Sequence, residues 1–257
     1  MRYELVKPCA RLAPYVKHFA ISENESEQSY NVLPDTSLVM GFQYRGALSH
    51  VEGDVQRPLA QNGITGILDA CRVFKNVSDT RSILVVFNEA GASQFIAEPL
   101  QKLYSQSLSL NDLVKDYHLS LVQEQLLESS GDVQRLACIE QFLLTNMTGR
   151  EADKLVEAAI DLIDNSQGTI RIEAMARQLN TSLSPLEKRF RAIVGTTPKK
   201  YATIVRMKRM LQALEINDKQ KADYLLDFYD QSHFIHQFKK FTSLTPQQYY
   251  KQYRKAD

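Results

Sequence analysis

Two stretches of this chain collect hydrogen-bonding and positively charged side chains at helical spacing. The first holds Ser182, Ser184, Glu187, Lys188 and Arg191; the second holds Gln231, Ser232, His233, His236, Lys239 and Lys240. These residue types suit recognition of a polar edge or a polyanion. Lys and Arg donate to guanine or to phosphate, Gln pairs with adenine, and Glu accepts from cytosine. They do not suit turnover. His18, His50 and His118 are scattered without metal-ligand spacing, and Asn88-Glu89-Ala90-Gly91-Ala92 is a lone turn rather than a phosphate loop. The sequence shows no nucleophile beside a base and no carboxylate pair. No catalytic or metal-ligating residue is assigned, no cofactor is expected, and an enzyme is the least favoured class.

What positions these side chains is an apolar stripe behind each stretch. Phe234, Phe238 and Phe241 fall at i, i+4 and i+7, one face of a helix. Asp230 suits the N-cap, and Thr245-Pro246 ends the element because the residue before proline leaves the helical region. The same layout stands about forty-five residues upstream. There Leu186, Phe190 and Ile193 or Val194 supply the stripe, followed by Gly195, Thr197-Pro198 and Tyr201. Tyr201 and Tyr249 each come three residues after the proline. Two N-caps compete in the first copy. Ser182 is one, and Ser184 is the other, since Ser184-Pro185-Leu186-Glu187 reads as a capping box. The chain therefore repeats one helix-turn-helix unit.

The surrounding helices follow from periodicity. Residues 152–165 present Leu155, Ala158, Ala159, Leu162 and Ile163, with Gly168 placed as a left-handed cap. Residues 172–179 present Ile172, Met175, Ala176 and Leu179. Residues 198–215 form a long rod with Tyr201, Ile204, Val205, Leu211 and Leu214 inward and Lys199, Lys200, Arg206, Lys208 and Arg209 around the rest. At 1.5 Å per residue such a rod spans about 27 Å. That is close to the interval of about 34 Å between recognition helices on one face of DNA. A further helix is expected at 221–226 and a turn at Asp227-Phe228-Tyr229, with a fraying basic tail from Tyr249.

Charge divides along the same line. Residues 151–257 hold 18 Lys+Arg against 13 Asp+Glu, net +5, while the whole chain of 257 residues is only +1. The first 150 residues are therefore net −4, which fits a polyanion-binding module behind an acidic partner domain. Cys9, Cys71 and Cys138 are odd in number and widely separated. They read as reduced thiols, and with no apolar leader or membrane-length run a cytoplasmic location is expected, with no membrane partner.

The first 150 residues read as sheet, then helix. Strands are expected over 15–21, 38–44, 64–68, 73–77 and 83–87, with an acidic loop at 23–27 and turn residues between them, an antiparallel arrangement. Helical spacing follows at 92–97, 110–117, 119–128 and 133–144, the last with Val133, Leu136, Ile139, Phe142 and Leu143 as its stripe. Asn146-Met147-Thr148-Gly149-Arg150 is the linker candidate. The fold class is thus α+β. An N-terminal antiparallel β-rich domain with trailing helices, residues 1–150, precedes an all-α double helix-turn-helix domain, residues 151–257.

On these residues the C-terminal hundred positions resemble the tandem helix-turn-helix domain of the AraC/XylS family of bacterial transcriptional regulators. Ala176, Ser182, Leu186, Phe190, Gly195, Pro198, Tyr201 and Arg206 carry the likeness in the first unit. Phe228, Asp230 to Phe234, Phe238-Lys239 and Thr245-Pro246 carry it in the second. The first part, with Leu33-Pro34-Asp35 before a strand, is similar to sensor-like domains that precede this module. The resemblance implies double-stranded DNA as partner, one helix of each unit entering a major groove through the residues named at the outset. It further implies an effector-sensing or dimerising N-terminal domain, a homodimer, and RNA polymerase as a further partner. The chain departs from the pattern at Asp223, where alanine is usual, and at Asp227 and Ser243, where glycine is usual. Asp223 and Asp227 motivate the rival reading, a small-molecule or protein-interaction module whose DNA binding has degenerated.

Overall fold

Alternation along residues 80–87 decides the N-terminal architecture. Ile83, Val85 and Phe87 are fully buried on one face, while Ser82, Leu84 and Val86 line a cavity on the other. A strand with both faces covered needs a layer on each side, and the chain supplies helices on one and a second sheet on the other. The computed structural model describes residues 1–114, 116–216 and 231–253. Its strands are β1 (Arg2–Val6), β2 (Val16–Asn24), β3 (Gln28–Val32), β4 (Val39–Arg45), β5 (Leu48–Glu52), β6 (Val55–Pro58), β7 (Asn62–Thr65), β8 (Arg72–Asn76), β9 (Thr80–Phe87) and β10 (Ser107–Ser109). They form a six-stranded sheet ordered β1-β2-β9-β4-β7-β10 and a four-stranded sheet ordered β3-β8-β5-β6. Every pairing is antiparallel, as expected.

Helices α1 (Asp116–Glu128) and α2 (Asp132–Thr145) follow the sheets. Phe142 of α2 meets Phe42 of β4 edge-on at 5.6 Å, and the Arg135 guanidinium lies 4.4 Å over the Tyr44 ring. Sequence and structure differ in several places. Val133, read into the inward stripe, is 83% exposed, because the buried face of α2 is Ile139, Phe142 and Leu143. Residues 92–97 give only a 3-10 turn, Gly91–Gln94. A Cβ at Gly91 would come within 2.0 Å of the Tyr15 carbonyl oxygen, so the backbone is pinned against the sheet rather than free to extend a helix. Residues 110–112 are likewise a 3-10 turn. Strands β1, β3, β5, β6 and β10 are not in the sequence reading. Burial in β1 and β6 lacks the inward alternation on which that reading depends, while in β3 the alternating positions are Gln28, Tyr30 and Val32, only two of them apolar and none fully buried.

The C-terminal helices are α3 (Lys154–Asn165), α4 (Ile172–Gln178), α5 (Leu183–Val194), α6 (Pro198–Glu215), α7 (Gln231–Thr242) and α8 (Pro246–Tyr253). The inward face of α3 is Val156, Ala159, Ile160 and Ile163, one position round from the expected one. Leu155 and Leu162 pack at its edge. Gly168 does close α3 with φ +78°, its amide donating to the Ile163 carbonyl at 2.8 Å. The expected helix at 221–226, the turn at 227–229, the Asp230 cap, Asp223, Asp227 and the part of the tail beyond 253 lie outside the described residues. From Tyr249 to Tyr253 the stretch expected to fray is instead the second half of α8, because Tyr249 is buried against Phe238.

Residues 146–150 are not a slack tether. The Thr148 amide donates to the Gln94 carbonyl at 2.7 Å, and Arg150 donates to the Ala97 carbonyl at 2.9 Å. Buried apolar side chains form one contiguous cluster running from Leu12 through the sheet and α1–α2 to Phe238 and Tyr249.

Candidate nucleic-acid interface

The repeat read in the sequence is a repeat in space. Helices α5 and α7 are both twelve residues long, and Phe190, Thr197, Pro198 and Tyr201 of the first unit recur 48 residues later as Phe238, Thr245, Pro246 and Tyr249. Phe190 on α5 meets Tyr201 edge-on at 5.5 Å and 75°. Phe238 on α7 meets Tyr249 edge-on at 5.5 Å and 86°. All four rings are buried. Each pair locks its helix to the one after it, so the polar face of each helix is held rigidly outward.

Caps reproduce the same symmetry. Thr197 opens α6 by accepting from the Lys200 amide at 3.1 Å, with Pro198 at the first helical position. Thr245 opens α8 through a reciprocal box: its amide donates to Gln248 Oε1 at 2.8 Å, and the Gln248 amide donates to Thr245 Oγ1 at 3.3 Å. Gly195 ends α5 at φ +92°, and Ser243, 48 residues on, takes the same left-handed geometry at φ +64°. The serine at a position where glycine is usual therefore does not break the turn; it strains it. At the start of α5 the competing caps resolve to Ser182, which sits in extended geometry at the N-cap, with Ser184 inside the helix.

The structure exposes Ser182, Ser184, Lys188 and Arg191 on one side of α5, opposite the buried Leu186, Phe190 and Val194. Glu187 is half-buried and accepts from Arg191 at 3.1 Å, one turn along. On α7, His236, Lys239 and Lys240 are exposed; in the repeat His236 corresponds to Lys188 and Lys239 to Arg191. Gln231, Ser232 and His233 form the first turn of α7, and their side chains lie outside what is described.

Sequence reading missed two features. Asp153 caps α3 by accepting from the Leu155 and Val156 amides at 3.1 Å each. It also receives both arms of Arg189 on α5 at 2.7 Å. Burial pushes the Asp153 carboxyl up, but the Arg189 guanidinium and the two amides outweigh it, and the net direction is down. The Asp-Lys start of α3 is a legible cap signal; its partner thirty-six residues away is not.

The second feature is a set of contacts from the basic half to the first half. Lys208 on α6 binds Asp35 at 2.7 Å, Lys240 on α7 binds Asp69 at 2.8 Å, and the Lys200 ammonium stands 4.3 Å over the Tyr104 ring. Burial pushes the Asp35 carboxyl up, but the charge and hydrogen bond of Lys208 and the Thr36 amide outweigh it, and the result lies below its ordinary value.

Between the two sheets lies a cavity of about 430 Å³. Its floor lacks side chains where Gly41 of β4 faces Gly63 of β7. Leu48, Leu84, Val86 and Phe74 make its walls apolar, and Lys17, His18, Asp35 and Ser37 border it. Ser37 Oγ is buried without a hydrogen-bond partner among the described residues. Burial, with Lys17 alongside, pushes the His18 imidazole below its ordinary value.

A helix-turn-helix domain model matches residues 175–252. A model described as a domain of unknown function, DUF6597, matches residues 4–109. No curated protein sequence matches the chain. Among solved structures it is similar to ToxT from Vibrio cholerae (P21 form), with 14% identity over 90% of this chain and 97% of that one, at a TM-score of 0.45. ToxT bound to (E)-4-(8-methylnaphthalen-1-yl)but-3-enoic acid is similar at 14% identity over 97% and 98%, TM-score 0.43. The AraC-like transcriptional activator CuxR is similar at 18% identity over 79% and 81%, TM-score 0.30. With the helix-turn-helix match falling on the doubled, ring-locked units, and the DUF6597 match on the antiparallel β region ahead of them, the chain carries an AraC-type helix-turn-helix domain behind an N-terminal domain.

Proposed function

We propose that this protein binds specific sites on double-stranded DNA by placing α5 and α7 in successive major grooves. Residues 1–150 would serve as its sensing and dimerising part, and residues 151–257 as its DNA-binding part. The observation that carries the reading is the repeated unit itself: two twelve-residue helices, each ring-locked to its successor, each with an exposed cationic position at Arg191 or Lys239. Ser182, Ser184, Glu187 and Lys188 on α5, and Gln231, Ser232, His233, His236 and Lys240 on α7, are the remaining contact positions. Rigid presentation of donors on a helix face is what base reading requires.

The cavity supports an effector-sensing role, because a concavity with largely apolar walls and a polar cluster of Lys17, His18 and Asp35 at one end is the form of a small-ligand site. With His18 held neutral and Asp35 neutralised by Lys208, Lys17 leaves that end net positive, which favours an apolar ligand with a small anionic head. A homodimer through the first part, and contact with RNA polymerase, belong to the same reading.

Selection of bound sites from a random duplex pool tests the central claim, followed by titration of affinity against salt. An enriched motif, with affinity falling steeply as salt rises, is expected. Absence of any salt-sensitive affinity would favour a ligand- or protein-binding module instead. Sedimentation at high concentration tests the dimer, which a purely monomeric chain would exclude.

A further inference from the structure

One residue of the second recognition helix is held twice by the first half of the chain. Lys240 Nζ donates to Asp69 Oδ2 at 2.8 Å. The backbone carbonyl of the same residue accepts from the Cys71 amide at 2.9 Å. That carbonyl lies in the last turn of α7, where four carbonyls lack intrahelical donors. The loop at 69–71 thus caps the helix and engages its cation at once.

The carboxylate that does this is itself built in. Ser105 Oγ donates to Asp69 Oδ1 at 2.8 Å and accepts from the Asp69 amide at 3.1 Å. Ser105 takes a left-handed φ of +50°, with its carbonyl bound by the Arg72 guanidinium and its amide donating to the Ile67 carbonyl at 3.0 Å. A non-glycine residue in that region costs energy and persists only where its surroundings demand it. Next to it, Tyr104 carries the Lys200 ammonium on its face. An isolated exposed ion pair contributes little. This one has a preorganised acceptor, a second hydrogen bond from the same loop and a neighbouring cation–aromatic contact.

We propose that Asp69 is an internal stand-in for a DNA phosphate, competing with the duplex for Lys240 and thereby lowering the affinity of the second unit. The inference rests on the DNA-binding reading above. Lys239 remains exposed beside it. The contact therefore weakens the grip of α7 without covering its face, and any event that displaces loop 69–71 strengthens binding. Leu68 and Gly66, just ahead of Asp69, line the cavity between the sheets, so the clamp is carried on a wall of that cavity.

The test compares full-length wild type, Asp69→Asn, Ser105→Ala, Lys240→Gln and the double variant Asp69→Asn/Lys240→Gln on a mixed-sequence duplex over a salt series. Freeing Lys240 adds one phosphate contact. Asp69→Asn should bind about two- to fivefold tighter at low salt, with a salt slope steeper by about 0.9. Ser105→Ala should shift both in the same direction by less. In the Lys240→Gln background Asp69→Asn should change neither quantity. If the gain persists there, it reflects only the loss of one negative charge, and the clamp is refuted. Equal affinity and slope in wild type and Asp69→Asn also refute it while leaving DNA binding intact. No salt-sensitive binding by any variant overturns the DNA-binding reading and the clamp together.

Discussion

The two helix-turn-helix units share a skeleton and differ in what surrounds it. Helix α5 of the first unit packs along the 3-10 turn Leu100–Leu103, and a Cβ on its terminal Gly195 would stand 3.1 Å from the Leu100 carbonyl oxygen. Leu100 and Leu103 are buried, as are the α5 residues Leu186, Phe190 and Val194, so this packing lies on the side of α5 away from its polar face. Helix α7 is engaged at its end, through the very residue type that would contact phosphate. One unit is thus supported by the N-terminal part and the other restrained by it. Repetition of sequence conserved the internal locks, whereas regulation could enter only where the copies meet different neighbours.

Removing the locks should break both units most severely. Phe190→Ala and Phe238→Ala each empty a fully buried ring site facing a tyrosine. Each should cost about 3–5 kcal/mol in denaturant unfolding. A loss at Phe190 far exceeding that at Phe238 would show that the copies do not contribute alike. Next in size is the cationic pair. Arg191→Ala and Lys239→Ala should each weaken binding to all duplexes and flatten the salt slope by about 0.9 if both touch phosphate. Arg191 is also tied to Glu187 at 3.1 Å, so Glu187→Gln should partly mimic the opposite change by releasing it. A slope that responds only to Arg191 would make the second unit structural.

The repeat was legible because its signals are local: a phenylalanine, a left-handed cap, a Thr-Pro start and a tyrosine at set intervals. The helical N-caps and the long rod 198–215 follow from the same short-range chemistry. The sandwich was only half legible. Strands such as β9 alternate against a core, but β1, with Tyr3 and Leu5 exposed, pairs at an edge and owes its existence to β2 rather than to its own pattern. Asp69 and Ser105 carried no signal, and Asp35 was legible only as part of a turn, not as the seat of Lys208. Their roles arise from partners 36 to 173 residues away, a separation at which spacing conveys nothing. Asp153 lies between these cases, readable as a cap but not as the seat of Arg189.

The cap positions offer a finer comparison. Gly195→Ala forces a side chain into φ +92° and toward the Leu100 carbonyl, and should destabilise by about 1–2 kcal/mol. Ser243→Gly relieves φ +64° at the equivalent turn. It should stabilise by up to about 1 kcal/mol, since the native geometry there already suits glycine. Both are read from urea midpoints at constant slope. Opposite signs at equivalent positions would show the turn, not its residue, to be what the repeat preserves.

The smallest effect concerns the restraint on the second unit alone. The Asp69 carboxyl is pushed up by burial, but the hydrogen bonds from Lys240 and Ser105 and the Lys240 charge prevail, leaving it below the ordinary value of 3.8. A carboxyl depressed in the folded state stabilises the fold above its unfolded value and loses that contribution as pH falls through its folded value. As pH falls, the Asp69 side of the clamp therefore holds past the ordinary carboxyl value and fails only below it. Carboxyl-carbon NMR of Asp69 should give a midpoint under that value in wild type. In Lys240→Gln the opposing burial is no longer outweighed as strongly, so the midpoint should rise. An unchanged midpoint would mean that Ser105 alone holds the carboxylate, and that α7 rests against the first half of the chain without being gripped by it.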